Sequence, residues 1–505
     1  MNDFIYTTSI EKWDTFEAVI PGFTEGNPFA DYTIIGIFKS RYETKTVDGF
    51  YDGNGNYIVR FMPSFEGEYQ FIMKGTFSSG EYNGSFTVTS PSADNHGPVR
   101  VASNLHLIYE DGTPYHSLGT TCYAWTHQPA ALQEQTLKTL SENAFNKLRF
   151  CVFPKHYLYN FYEPESYPYE GTPCDSTDLN EDNFVLFSDN NTFKGNQWDY
   201  KRFNPSHFQN FEKRIKDLRD LGIEADIILM HPYDRWGFSH MGPENEAFYL
   251  RYVLARFSAY RNVWWSLANE YDIFTHKSIA DWEANAKEVY THDPYNHLRS
   301  IHNCFEFYDF NRPWITHCSI QRLDLYKTAE CTTEWRVQYK KPVVLDEIAY
   351  EGNINHAWGN ISGQEMTRRF WECFVRGGYP GHGETYQHPK DLLWWSHGGT
   401  LHGESPARIK FLSEIMQQTP GNGLVPVKGE WDEVLGIADG GAYAIHYYSL
   451  FRPGFRTFSF PQDQEYEVEV IDTWNMTIEK LGTFCGKCKI TLPGKEFMAI
   501  RIIKK

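Results

Sequence analysis

Val263-Trp264-Trp265-Ser266-Leu267-Ala268-Asn269-Glu270 and Val343-Val344-Leu345-Asp346-Glu347 share one design, an apolar run of strand length that ends in a glutamate. Unbroken apolar runs of this length suit strands buried on both faces, as in a parallel sheet covered by helices. Helical patterns surround them. Asn204 stands as an N-cap before Pro205, and Phe208, Phe211, Ile215, Leu218 and Leu221 recur at spacings of three and four. Similar stripes run through Phe248, Tyr252, Val253 and Phe257, through Met366, Phe370 and Phe374, and through Ile409, Leu412 and Ile415.

Six more strand candidates complete the alternation: 116–120, 146–150, 225–230, 299–302, 314–317 and 378–381. Eight strands alternating with helices over this length predict a (β/α)8, or TIM, barrel of class α/β. An open doubly wound sheet would bring a Gly-rich phosphate loop after its first strand, and the sequence has none there.

The chain outside this stretch is different. Before residue 90, short β-branched and aromatic runs such as Tyr57–Phe61 and Tyr69–Met73 are separated by turns such as Asp52-Gly53-Asn54-Gly55-Asn56. After 422 the same pattern returns in Ala442–Tyr448, Tyr466–Val470 and Phe497–Ile502. The expected organisation is an N-terminal β-sandwich over 1–92, a catalytic barrel over 98–421 and a C-terminal β-sandwich over 422–505. A chain of 505 residues is long enough for several cores.

Composition narrows the function. The net charge of −18 disfavours nucleic acid and anionic membranes as partners. No apolar run approaches the ~20 residues of a membrane helix, and Met1-Asn2-Asp3-Phe4 does not open like a signal peptide. The nine scattered cysteines suit a reducing compartment, so a cytoplasmic location is expected. Aromatic residues make up 17% of the chain. Most belong in cores, but flat rings also stack on the apolar faces of sugars.

Reactive groups of such a barrel sit at the C-terminal ends of its strands. Glu270 ends the fourth predicted strand and Glu347 the seventh, 77 residues later. Two carboxyls facing each other across the barrel mouth suit two-step glycosyl transfer. One protonates the leaving oxygen and the other attacks the anomeric carbon, from about 5–5.5 Å apart.

This arrangement resembles clan A of the glycoside hydrolases, where an Asn-Glu pair ends strand four and a Glu ends strand seven. The resemblance implies that Glu270 is the acid/base, Glu347 the nucleophile and Asn269 a ligand of the sugar 2-hydroxyl. It implies that Arg149, near the end of strand two, pairs with the nucleophile. His231 corresponds to a sugar-binding histidine of the clan, and Trp395, in Trp394-Trp395-Ser396-His397, to the floor of the sugar site. His302 and His317 end the predicted strands five and six and are candidate hydroxyl ligands. Trp125 and Tyr233 are further stacking candidates. Glu351 and Asp346 remain alternative nucleophiles. The clan often has a tyrosine after strand six, where this chain has His317.

The flanking segments resemble a narrower group. Trp13-Asp14-Thr15-Phe16-Glu17, Gly26-Asn27-Pro28-Phe29 and Gly49-Phe50-Tyr51-Asp52-Gly53 are similar to the N-terminal sandwich of bacterial glycosidase-like proteins. In that group an apiosidase-like, family 5-like barrel follows, then a short C-terminal β domain. The function this implies is retaining hydrolysis of β-linked oligosaccharides or glycosides by double displacement. The long stretch 157–200 is expected to close the mouth into a pocket for exo-action. No cofactor and no metal is implied.

Two other functions fit less well. A metal-dependent barrel hydrolase would carry His-x-His after strand one, where this chain has Gly119-Thr120-Thr121-Cys122-Tyr123-Ala124-Trp125. A non-catalytic carbohydrate-binding barrel would be expected to have lost one of the two carboxylates.

Overall fold

The computed structural model describes residues 4–77, 80–183, 195–322, 324, 326–389 and 393–505. Its centre is an eight-stranded parallel sheet. The strands are β1 (Gly119–Thr121), β2 (Lys147–Cys151), β3 (Glu224–Ile228), β4 (Val263–Ser266), β5 (Arg299–Ser300), β6 (Cys318–Gln321), β7 (Val343–Glu347) and β8 (Tyr379–His382). The order around the sheet is β5-β4-β3-β2-β1-β8-β7-β6, and a parallel bridge between His302 and Ser319 joins the two ends into a barrel.

Seven helices surround the barrel among the described residues: α1 (Ala130–Ser141), α2 (Pro205–Asp220), α3 (Pro243–Phe257), α4 (Ile279–His292), α5 (Thr332–Tyr339), α6 (Gly363–Val375) and α7 (Ser405–Gln417). No helix of this kind separates β5 from β6. The Asn204 side chain caps α2 by accepting from the Ser206 amide. Phe208, Phe211, Ile215 and Leu218 bury its inner face, while Leu221 lies beyond the helix and is exposed.

The sixth strand departs from the sequence reading. Trp314–His317 is apolar enough for a strand, but β6 begins at Cys318. His317 therefore enters the barrel from below, packed on Trp264, and Gln321 takes the place at the mouth.

The N-terminal segment forms a four-stranded sheet, whose longer strands are Phe16–Pro21 and Asn56–Phe61, and a five-stranded sheet including Gly67–Gly75 and Glu81–Thr89. Their shared core is aromatic, with Phe16, Phe38, Phe61, Phe71 and Phe86 in mutual contact. The C-terminal segment forms a six-stranded sheet with a separate two-stranded one, and Tyr447 packs on Trp371 of α6.

Candidate active site

The barrel interior below the mouth holds two cations and two anions. Lys147 Nζ lies 2.7 Å from both Asp226 Oδ2 and Asp346 Oδ1, and Arg149 donates to Asp226 Oδ2 at 3.2 Å. All four side chains are buried. A Cβ at Gly119 would sit 3.2 Å from Lys147 Cε, so the glycine gives the lysine room inside the barrel. Such burial is tolerable because each charge has an opposite partner.

This layer holds the mouth above it. The second amino group of Arg149 donates to Asn269 Oδ1 at 3.1 Å. Its oxygen is thereby occupied, and Asn269 also lines the cavity. Arg149 thus reaches Asn269 rather than pairing directly with Glu347 as the family resemblance implied. Asp346 accepts from Ser319 Oγ, which lies 3.0 Å from His302 Nδ1. His302 Nε2 then stands 3.3 Å from Glu347 Oε1, at ion-pair distance but not aligned as a hydrogen bond.

Glu270 and Glu347 line one cavity of about 380 Å3. Glu347 Oε1 accepts from the Tyr123 hydroxyl, which is 3.3 Å from that of Tyr350. Burial pushes the Glu347 carboxyl up, but His302, Tyr123 and Tyr350 outweigh it and hold the group down at about 2. Glu270 accepts from the Tyr233 hydroxyl and, at 2.7 Å, from Gln321 Nε2. Burial and then the charge of Glu347 raise its carboxyl above the usual range, and Tyr233 and Lys155 only partly oppose this. Two carboxyls in one cavity are therefore driven apart, one toward the acid and one toward the anion. Glu270 also has φ +53°, a left-handed conformation costing a non-glycine residue roughly 1–2 kcal/mol.

The other two candidate nucleophiles point elsewhere. Asp346 faces Lys147 inside the barrel. Glu351 accepts from the Glu404 and Ser405 amides at 2.7 and 3.1 Å, capping α7.

Tyr233 and Trp395 line the cavity together with Tyr157, Trp358 and Tyr350. Trp358 and Trp395 lie 5.2 Å apart. Three other candidates lie off it. Trp125 is fully buried against Phe150, His231 bonds to the Phe153 carbonyl at 3.1 Å, and His317 is at the foot of β6. Each has an apolar or backbone partner that a sequence position does not reveal. His302 also stays off the cavity lining and touches Glu347 instead.

Tyr123, Lys155, Gln321 and Tyr350 escaped the sequence reading. Tyr123 and Gln321 each stand at or just past a strand end, so inspecting every such position would have found them. Lys155 and Tyr350 lie on loops and carried no signal. Of the stretch 157–200, residues 184–194 lie outside the described residues.

Residues 102–452 match the model of the apiosidase-like catalytic domain. Residues 9–75 and 431–503 match two domains of unknown function, DUF5060 and DUF5605. The chain is similar to a "putative glycoside hydrolase" from Bacteroides vulgatus ATCC 8482, with 37% identity, 99% of this chain and 100% of that one covered, and a TM-score of 0.90. A second structure, described as a glycoside hydrolase, shares the fold at 15% identity, with 81% of this chain and 97% of that one covered and a TM-score of 0.59. No curated protein matches.

Proposed function

This chain belongs to the apiosidase-like family of catalytic domains and is a glycosidase acting on carbohydrate, and we propose that it is a retaining one, with Glu270 as acid/base and Glu347 as nucleophile. The observation that carries this reading is that two buried carboxyls share one cavity with unlike partners: Glu347 accepts from Tyr123 and stands 3.3 Å from His302, while Glu270 accepts from the neutral Tyr233 and Gln321. Glu270, whose carboxyl is pushed up by burial and by its neighbour's charge, gives its proton to the glycosidic oxygen. Glu347, kept ionised by His302 and two tyrosines, attacks the anomeric carbon from the opposite face. The bond to the leaving group breaks and a glycosyl ester forms on Glu347. Glu270, now a carboxylate, takes a proton from water as that water cleaves the ester.

Asn269 donates its NH2 to the sugar 2-hydroxyl, and Trp395 and Trp358 form an apolar wall for the ring. The cavity lies near the lower end of the roughly 300–1,000 Å3 typical of ligand pockets. That size favours exo-action on a β-linked glycoside or short oligosaccharide over binding along a polymer. No described helix is long and apolar enough to cross a membrane. All nine cysteines are free thiols, which fits a cytoplasmic enzyme.

A panel of aryl α- and β-glycosides tests the reading. One β-glycoside should turn over, its first-formed sugar should be the β-anomer by NMR, and Glu270→Ala and Glu347→Ala should each lose activity. Initial release of the α-anomer from a β-glycoside would overturn the retaining mechanism.

A further inference from the structure

Lys155 is 4% exposed and on the lining of the catalytic cavity. Its Nζ stands 4.1 Å from the Tyr123 ring centre, 4.3 Å from that of Tyr233 and 4.7 Å from that of Trp395. Ring faces attract its charge but accept no ordinary hydrogen bond. Among the described residues, no oxygen accepts from this ammonium and no carboxylate pairs with it. Burial pulls the ammonium below its usual range, and the charge of Glu347 opposes this. Glu270 is protonated before the reaction in the proposed mechanism, and Glu347 is already held by Tyr123 and His302. The three N–H donors of Lys155 are left for whatever enters the cavity.

The position is informative. Tyr123 bonds to Glu347 and Tyr233 bonds to Glu270. A cation resting on both rings therefore lies close to the two carboxyls, where the proposed mechanism puts the sugar that is attacked. A neutral hydroxyl there would satisfy one N–H and leave the charge unmatched. A carboxylate would satisfy both.

We propose that the sugar held between Glu270 and Glu347 carries a carboxylate, so that the substrate is a β-linked hexuronide, and that Lys155 receives that carboxylate. The inference rests on the glycosidase reading for the position of the sugar.

The test compares 4-nitrophenyl β-D-glucuronide and β-D-galacturonide with the matching glucoside and galactoside. A second arm measures binding of free D-glucuronate, D-galacturonate, D-glucose and D-galactose by calorimetry, and needs no catalysis. The proteins are wild type, Lys155→Met and Lys155→Arg, with thermal unfolding as the check on folding. Wild type should favour one uronide over its neutral partner at least 30-fold in kcat/KM. Lys155→Met should abolish that preference mainly through KM, and Lys155→Arg should restore part of it. Equal or better cleavage of a neutral glycoside by wild type would overturn the proposal, and so would a uronide preference that survives in Lys155→Met. If no glycoside is cleaved, the glycosidase reading is what fails. Lys155-dependent binding of a uronate would then still support the proposal, and uronate binding no tighter than that of the neutral sugars would overturn it.

Discussion

At the scale of single residues, protonation decides the account. In the proposed mechanism activity needs Glu347 ionised and Glu270 protonated, so kcat/KM should follow a bell in pH. The acid limb belongs to Glu347, near 2, and the alkaline limb to Glu270, above the ordinary 4.5. Tyr123→Phe removes a donor that favours the Glu347 anion. The Glu347 carboxyl rises, the acid limb moves to higher pH, and kcat/KM falls roughly 10–100-fold, as expected for a hydrogen bond to a charged group worth about 1.5–3 kcal/mol. Tyr233→Phe acts on the other limb. It removes a donor to the Glu270 carboxylate, so the alkaline limb also moves to higher pH. pH–rate profiles of the two variants check both directions. The two glutamates and Asn269 were legible because each follows an apolar strand. His302 was legible by position but not by role. A strand end does not tell whether a side chain turns into the cavity or beneath it, where His302 meets Glu347.

At the scale of elements, the buried layer of Lys147, Arg149, Asp226 and Asp346 ties β2, β3 and β7 together below the mouth. Lys147→Met leaves two buried carboxylates to share Arg149. Removing one partner from such a group costs about 3–5 kcal/mol, which a lowered midpoint in urea unfolding should show. Seven of the eight strands were legible, three from apolar runs and the others from their place between helical patterns, with ends shifted by a few residues. The sixth was not, because the adjacent stretches Trp314–His317 and Cys318–Gln321 each hold two apolar and two polar residues, so the pattern does not choose between them; the polar residues of the true strand are Ser319 and Gln321. Those two serve the site rather than the hydrophobic pattern. Ser319 links Asp346 to His302, and Gln321 bonds to Glu270.

At the scale of the whole molecule, the N-terminal sheets are fastened to the barrel by charge. Glu212 of α2 lies 2.8 Å from Arg60 of the N-terminal sheet and 2.9 Å from Arg256 of α3, while Arg256 also reaches Asp52. Burial pushes the Glu212 carboxyl up, but the two arginines outweigh it and hold the group at about 2, against 4.5 when free. A depressed carboxyl stabilises the fold above its unfolded value. The contribution, on the order of 3 kcal/mol, is complete above about pH 4.5 and disappears as pH falls toward 2. Glu212→Gln should therefore destabilise the protein at pH 7 and differ little from wild type near pH 2, as measured by thermal unfolding. The sequence showed the sandwich strands through their alternation. It did not show this docking, because Arg60 and Glu212 are 152 positions apart and neither lies in a motif.

The central claim is that Glu347 forms a bond to the sugar. Incubation with a 2-deoxy-2-fluoro β-glycosyl fluoride of the sugar that the enzyme cleaves, followed by peptide mass spectrometry, tests it most directly. The account predicts one fluoroglycosyl adduct per chain, on Glu347, and none in Glu347→Ala. An adduct on Glu351 or Asp346, or full activity in Glu347→Ala, would contradict it.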